Sequence, residues 1–304
     1  MSVVLSVKNL SKSYGPVRAL NGVSFDVPPG SVFGILGPNG SGKTTLLGII
    51  MDVLNANSGE FLWHGQPGSD EQRRQIGTLL ETPNFYHYLS GEANLKIAAA
   101  IKEKGKEDIP AVLEKVNLTQ RRLSKFKTYS LGMKQRLAIA STLLGNPDIL
   151  VFDEPMNGLD PAGIAEIREL MKELNRQGKT IIMASHILDE VEKVCTHVAI
   201  IQKGALKMSG LVSEVLKTSD DRSVMIFISS DDNNLLESTI RNIPGVISAI
   251  QIEGVIQLNC DETVSPATIN QFCFSKGIVL HQLLMKRKSL ETRFLEITGG
   301  LSDR

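Results

Sequence analysis

Short apolar runs separated by turns follow one another along the first two thirds of the chain. Val3–Val7 and Val23–Val27 have the composition of strands, and the turn Pro28-Pro29-Gly30 follows the second of them. The wholly apolar runs Val32–Leu36 and Ile149–Phe152 are typical of strands buried on both faces of a parallel sheet. The same pattern predicts further strands at Thr180–Ala184 and Val198–Ile201.

Helical periodicity alternates with these strands. In Ala162–Gln177 the apolar residues recur at the spacing of a helix. Alternating strands and helices predict an α/β fold, with a mixed or parallel sheet covered by helices. Residues 82–145 interrupt the alternation with helices alone, the first of which starts at Ser90 with Glu92 in its first turn. Ala111–Val116 and Met133–Leu144 are also helical in pattern, so we predict a helical insertion over about residues 82–145.

The pattern restarts after the polar stretch Thr218-Ser219-Asp220-Asp221. Beyond it the predicted order is strand, helix, strand, strand, helix, strand, which is that of a small ferredoxin-like α+β unit. We therefore expect two domains, residues 1–218 and 219–304. The predicted strands of the second are Val224–Ser229, Val246–Ile252, Val255–Leu258 and Ile278–Leu284, and its predicted helices are Leu235–Asn242, Ser265–Lys276 and Leu290–Ile297.

Composition excludes several functional classes. Lys and Arg number 33 in 304 residues, as do Asp and Glu, so the charge balance gives no reason to expect a nucleic-acid partner. No apolar stretch approaches the roughly 18–20 residues that a membrane-spanning helix needs. The three cysteines, Cys195, Cys260 and Cys273, are odd in number and lack metal-site spacing, which favours reduced thiols in a cytosol.

A glycine-rich segment lies between a predicted strand and a predicted helix. Gly37-Pro38-Asn39-Gly40-Ser41-Gly42-Lys43-Thr44 matches the pattern Gly-x-x-x-x-Gly-Lys-Ser/Thr, and the apolar segment Thr45–Met51 follows it. The backbone N–H groups of such a turn and the positive end of the next helix attract phosphate. We predict that Lys43 reaches the β- and γ-phosphates of a nucleotide and that the Thr44 hydroxyl holds Mg²⁺.

Titratable side chains follow two other predicted strands. Asp153 and Glu154 come directly after Ile149–Phe152, at the carboxyl end of a strand, where α/β sheets bind ligands. We expect Asp153 to hold Mg²⁺ opposite Thr44, and Glu154 to polarise the water that attacks the γ-phosphate. His186 follows the strand at Thr180–Ala184, where its ring can donate a hydrogen bond to the γ-phosphate.

Taken in order, these motifs resemble the ATP-binding-cassette (ABC) family of transporter ATPases. Besides the phosphate loop, the Asp153-Glu154 strand end and His186, the resemblance includes a Ser-x-Gly segment before Lys134-Gln135-Arg136, and Gly158-Leu159-Asp160. It covers roughly residues 3–215. The remainder resembles the C-terminal accessory domain of a subset of these ATPases, which includes bacitracin-type and lantibiotic self-protection exporters.

The resemblance implies roles for further residues. Tyr14 matches the aromatic residue that stacks on adenine, although a half-buried tyrosine at a strand end would give the same pattern. Asp160 matches the acidic residue that crosses between two subunits, and His186 matches the switch histidine. Ser130 and Gly132 match the signature segment, which binds the γ-phosphate of ATP held by the opposite subunit. The phosphate-loop match comprises Gly37, Pro38, Asn39, Gly40, Ser41, Gly42, Lys43, Thr44 and Thr45.

Two segments depart from the family pattern. The signature Leu-Ser-Gly-Gly-Gln stands here as Tyr129-Ser130-Leu131-Gly132-Met133, and a side chain at Leu131 hinders close backbone approach to a phosphate. Glu81 stands where the family usually has a Gln that touches Mg²⁺, and a carboxylate oxygen can also bind this ion. The Glu form resembles the bacitracin-type and lantibiotic group. The cations Lys134 and Arg136 could face phosphate or solvent, and we favour solvent.

The resemblance implies an ATPase subunit that energises a membrane exporter for antimicrobial peptides, antibiotics or similar amphipathic compounds through ATP-driven dimer closure. Its cofactors would be ATP and Mg²⁺. Its partners would be transmembrane permease subunits and a second copy of itself or a related ATPase subunit, at the cytoplasmic face of the cell membrane. Two alternatives stay open: a soluble ABC-type ATPase, and a non-hydrolysing nucleotide sensor not coupled to transport.

Overall fold

The computed structural model describes residues 3–80, 84–216, 223–252, 254–261, 263–286 and 289–298. Within them the chain forms two compact units. One runs to Val212 and takes in the last described residues from Ile297, and the other runs from Ser213 to Glu296. The predicted domain boundary at residue 218 lies outside the described residues.

Strands and helices alternate along most of the chain. The strands are β1 (Leu5–Tyr14), β2 (Val17–Val27), β3 (Val32–Leu36), β4 (Ser58–Trp63), β5 (Gln66–Pro67), β6 (Ile76–Leu79), β7 (Ile149–Asp153), β8 (Thr180–Ser185), β9 (His197–Gln202), β10 (Ala205–Leu211), β11 (Ser223–Ser230), β12 (Val246–Ile252), β13 (Val255–Asp261) and β14 (Leu280–Lys286). The helices are α1 (Lys43–Ile50), α2 (Asp70–Arg74), α3 (Gly91–Lys102), α4 (Ile109–Lys115), α5 (Leu131–Leu143), α6 (Pro161–Arg176), α7 (Leu188–Val194), α8 (Val212–Val215), α9 (Asn233–Ile240), α10 (Pro266–Ser275) and α11 (Leu290–Thr298).

A six-stranded sheet forms the centre of the first unit, with the strand order β10-β9-β3-β8-β7-β6. All its neighbouring strands are parallel except the edge strand β10, which confirms the predicted fold class. Every residue of β3, β7 and β8 is buried, as their apolar sequences predict. Leu36 pairs with Ser185 and Asp153 pairs with Ala184, so these strands end at one level. The segments after them therefore share one edge of the sheet.

A second sheet, with the order β2-β1-β4-β5, is antiparallel and shares its core with α1. Leu5 and Leu20 from its strands and Leu47 from α1 are fully buried in this core. The indole N–H of buried Trp63 donates to the carbonyl of Ile50, at 3.1 Å. This bond satisfies a carbonyl at the C-terminal end of α1, which the helix itself leaves unpaired. The packing thus fixes the helix that begins at the end of the glycine-rich loop.

Helices α3, α4 and α5 lie in sequence between β6 and β7, as the pattern of residues 82–145 predicts. The predicted cap is confirmed, because the Ser90 hydroxyl accepts a hydrogen bond from the backbone N–H of Ala93, at 3.1 Å. The sequence pattern did not predict β4, β6, β10 or α7. Three of the six residues of β4 are exposed and none of β10 is buried, so neither carries the apolar run that identified the buried strands.

The second unit has the element order β11-α9-β12-β13-α10-β14 and an antiparallel sheet with the strand order β12-β13-β11-β14. This arrangement is the predicted ferredoxin-like one. Its core contains Ile226, Leu258 and Ile269 together with the thiols of Cys260 and Cys273. All three cysteines are free and buried, and burial raises the pKa of each thiol above its usual value.

Among the helices in the described part of the chain, none combines the length and the apolar character that crossing a membrane requires.

Candidate active site

The glycine-rich loop between β3 and α1 has a backbone that only glycine fits. Gly42 lies at φ +109°, and a Cβ atom there would stand 2.4 Å from the carbonyl oxygen of Ala19. A Cβ atom on Gly37 would stand 2.3 Å from the carbonyl oxygen of Ile201. Neither distance is compatible with a real side chain, because backbone atoms cannot move aside cheaply. Because Gly37 and Gly42 have no side chains, the loop can pack closely against the backbones of β2 and β9.

Lys43 is buried at the first position of α1 and curls back over this loop. Its ammonium donates hydrogen bonds to the carbonyl oxygens of Gly37, at 2.8 Å, and Pro38, at 3.3 Å. It also lies 3.4 Å from Oε1 of Glu154, and the two side chains are 6% and 20% exposed. A fixed, largely dehydrated cation thus stands at the N-terminal end of a helix, where the backbone adds partial positive charge.

The Glu154 carboxylate lies between two nitrogen-bearing side chains. Its Oε2 atom is 2.9 Å from Nδ1 of His186, on the other side from Lys43. The backbone at Glu154 has φ +47°, a conformation that costs a non-glycine residue about 1–3 kcal/mol. Its N–H donates to the carbonyl of Ala184 in β8, at 3.0 Å, which holds the residue in place. The sheet edge therefore brings together three predicted residues: Lys43, Glu154 and His186.

The two predicted oxygen ligands of a metal ion flank this group in sequence. Thr44 is exposed in the first turn of α1, and Asp153 is buried as the last residue of β7. No three His, Cys, Asp or Glu side chains in the described residues form a cluster that could hold a metal ion. One hydroxyl and one carboxylate fit Mg²⁺, which usually takes one or two protein ligands and completes its shell with phosphate and water. Glu81, the third predicted ligand, lies outside the described residues.

A cavity of about 430 Å³ opens beside the loop. Seven of the site residues that the sequence predicted line it: Asn39, Gly40, Gly42, Lys43, Thr44, Thr45 and Glu154. Ser41 belongs to the same loop, and its buried hydroxyl has no hydrogen-bond partner among the described residues. The cavity is long enough along β2 to include Val17 and Arg18, and Lys203 lines it from the turn after β9. Sequence reasoning missed these three residues and Ala19, which also lines the cavity. Only the positive charge of Arg18 and Lys203 could have suggested any of the four.

Tyr14 stands at the end of β1, where it pairs with Val17 in the β1–β2 register. Its side chain is 46% exposed, and the ammonium of Lys12 lies 5.2 Å from its ring centroid. The ring does not line the cavity itself, but its register partner does. A half-exposed aromatic side chain therefore lies next to a residue of the cavity wall.

The remaining predicted residues, Ser130, Gly132 and Asp160, do not line this cavity. Ser130 caps α5 by accepting the backbone N–H of Met133, at 3.3 Å, and Asp160 caps α6 by accepting that of Gly163, at 3.0 Å. Both caps are exposed. The candidate residues thus fall into a group around the loop and a separate group at two helix starts.

Comparison with known proteins agrees with this geometry. Residues 20–157 match the family model for the ABC transporter domain. An uncharacterized ABC transporter ATP-binding protein of Bacillus subtilis, YhcH, is 39% identical over 98% of this chain and 97% of its own length. The bacitracin transport ATP-binding protein BcrA of Enterococcus faecalis is 32% identical over 99% of this chain and 98% of its own length. The lantibiotic transport ATP-binding protein SrtF of Streptococcus pyogenes is 39% identical over 67% of this chain and 89% of its own length.

Solved structures place the first unit in the same fold. An ATP-binding subunit of an ABC transporter aligns with a TM-score of 0.63 and 31% identity, over 70% of this chain and 91% of its own. A dimeric ATP-binding cassette, solved in a post-hydrolysis state with ADP and Pi bound, aligns with a TM-score of 0.61 and 25% identity, over 68% of this chain and 98% of its own. With a glycine loop and a buried cation at the sheet edge, and full-length relatives of this kind, the chain belongs to the ABC transporter ATP-binding family and is an ATPase.

Proposed function

We propose that this chain hydrolyses ATP to energise a membrane exporter for antimicrobial peptides, antibiotics or similar amphipathic compounds. The observation that carries the proposal is the contact of Glu154 with both Lys43, at 3.4 Å, and His186, at 2.9 Å, beside a cavity lined by the phosphate loop. Full-length similarity to BcrA and partial similarity to SrtF support the class of exported compound.

In the proposed site the loop N–H groups and Lys43 hold the β- and γ-phosphates. Lys43 is already desolvated, so its attraction for a phosphate is weakly screened. The buried hydroxyl of Ser41 finds no hydrogen-bond partner in the part of the chain that the structure describes, so it is suited to donate to a phosphate oxygen. Tyr14 is exposed enough to stack on adenine.

Glu154 acts in this scheme on the water that attacks the γ-phosphate. Its carboxylate accepts the proton of that water, while the hydrogen bond to His186 fixes its orientation. Thr44 and Asp153 would hold Mg²⁺, which would neutralise phosphate charge. All these groups belong to one protomer.

Ser130, Gly132 and Asp160 act in the proposed scheme on the nucleotide of a second copy or of a related ATPase subunit. Their position outside the cavity of their own protomer supports this division, as does the dimeric form of the similar cassette with ADP and Pi. ATP would then stabilise the closed dimer, and hydrolysis would release it. A transmembrane permease would use this motion at the cytoplasmic face of the membrane.

Steady-state ATPase assays and light scattering test the first half of the proposal. We expect the wild-type chain to hydrolyse ATP with Mg²⁺, Glu154→Gln to form an ATP-dependent dimer, and Lys43→Ala in that background to stay monomeric. An ATP-loaded Glu154→Gln chain that stays monomeric at all concentrations would contradict dimer closure.

Susceptibility assays test the transport half. Loss of the gene should lower the minimal inhibitory concentration of bacitracin or a lantibiotic at least fourfold, and the wild-type gene but not Glu154→Gln should restore it. Unchanged susceptibility to every such compound would contradict the exported class while leaving the ATPase intact.

A further inference from the structure

Leu131, which occupies the central glycine position of the family signature, packs against the loop that follows Glu154. Its Cδ2 atom lies 3.1 Å from the point where a Cβ atom on Gly158 would stand. Gly158 has φ +72°, and its missing side chain leaves the space that Leu131 enters. Leu131 is nevertheless 56% exposed, so it makes this contact with one edge of the side chain.

Two further contacts join the same elements. The Cδ2 atom of Leu159 lies 4.0 Å from the Cβ position of Gly132. One turn further along α5, Nη1 of Arg136 lies 3.1 Å from Oε2 of Glu166 in α6, and the Arg136 side chain is only 18% exposed. The sequence interpretation of Arg136 as solvated was therefore wrong. The first two turns of α5 thus lie against Gly158 and Leu159 of the loop and against Glu166 of α6.

The loop from Glu154 to Asp160 is short and internally bonded. The carbonyl of Glu154 accepts the N–H of Asn157, at 3.1 Å, and the carbonyl of Met156 accepts the N–H of Leu159, at 3.4 Å. Asp160 then caps α6. These bonds restrict the backbone between Glu154 and Leu159, a stretch that includes Gly158.

We propose that Leu131 is a positioning residue that couples the Ser130–Gly132 turn to Glu154 of the same protomer through its contact with Gly158. The inference rests on the proposed function, in which that turn binds the γ-phosphate held by the partner subunit. Phosphate binding at one site would then set the orientation of Glu154 at the other. A glycine at position 131 has no side chain to make this contact, so the departure from the family signature adds a link.

A set of matched variants tests this role through kcat and KM for ATP. Leu131→Ala should lower kcat three- to tenfold and change KM less than twofold, because it loosens Glu154 without removing a ligand of ATP. Leu131→Met, which keeps the reach of the side chain, should keep kcat within twofold of the wild-type value. Leu123→Ala is the control, since Leu123 is also exposed (71%) but precedes the signature segment, and it should change neither constant.

A double-mutant cycle distinguishes coupling from a general structural effect. Gly158→Ala should lower kcat, because alanine is strained at φ +72° and because its Cβ would stand 3.1 Å from Cδ2 of Leu131. Adding Leu131→Ala should recover the part of the loss that comes from this close contact. In the Glu154→Gln background, Leu131→Ala should still dimerise with ATP.

Four results would overturn the inference. If the wild-type chain is active, unchanged kcat in Leu131→Ala would overturn the coupling alone, and so would additive effects of Leu131→Ala and Gly158→Ala. Loss of ATP-driven dimerisation by Leu131→Ala would assign the residue to the seam between subunits instead. A wild-type chain without ATPase activity would overturn the proposed function and this inference with it.

Discussion

Replacing Glu154 with Gln removes the carboxylate charge between Lys43 and His186 and leaves the side-chain volume nearly unchanged. In the wild-type chain the Lys43 ammonium lies 3.4 Å from that carboxylate, and the side chains of Lys43 and Glu154 are 6% and 20% exposed. Two unit charges about 4 Å apart interact by about 1 kcal/mol in water and about 4 kcal/mol near a protein surface. Because the same ammonium must bind phosphate, the carboxylate competes with ATP for it and also repels the γ-phosphate.

We therefore expect Glu154→Gln to bind ATP about three- to thirtyfold more tightly, which corresponds to roughly 0.7–2 kcal/mol of this interaction, since water screens part of it. Turnover should fall at least ~10²-fold, because an amide cannot accept the proton of the attacking water. Titration with a fluorescent ATP analogue measures the Kd, and phosphate release measures kcat.

Glu60→Gln is the matched control, because Glu60 lies 3.1 Å from Lys8 in an ion pair that is more than half exposed on both sides. It should change neither constant. Native turnover in Glu154→Gln would refute the role of Glu154 as the base. Severalfold weaker ATP binding would show that the ion pair with Lys43 supports the site rather than competing with ATP.

The other predictions concern the loop, a partly buried lysine and the thiols. Gly42→Ala should abolish ATP binding and lower the free energy of urea unfolding by about 2 kcal/mol or more. The reason is that its Cβ would stand 2.4 Å from the carbonyl oxygen of Ala19, on a backbone at φ +109°. Unchanged affinity for ATP would contradict the binding of phosphate by this loop. Burial lowers the pKa of Lys102 to about 8, so between pH 8 and 10.5 the unfolded chain holds a proton that the folded chain has released. Stability should consequently rise with pH across that window, by about 2 kcal/mol relative to Lys102→Met, and parallel unfolding curves for the two chains would exclude this coupling. The three buried thiols should react with a disulfide reagent at pH 8 only after denaturation, and rapid reaction of the native chain would show that the cores open.

Local sequence determined most of the elements and the phosphate loop. A wholly apolar run such as Ile149–Phe152 indicates a buried segment. The loop motif occupies eight consecutive residues, Gly37–Thr44, so the glycines that its backbone needs could be recognised directly. The ferredoxin-like order of the second unit could also be predicted, because each of its strands and helices has the periodicity of its own type. Half-exposed strands such as β10 were missed, since their side chains alternate too weakly to differ from a loop.

Tertiary structure alone decided which distant residues meet. The parallel register of β3, β8 and β7 ends three strands at one level, and this brings Glu154 between Lys43 and His186. Only the folded structure shows that Lys203 lines the same cavity and that Leu131 fills the space left by Gly158. Periodicity and motifs record how each segment folds, whereas contacts between segments depend on sheet order and register, which a single sequence does not contain.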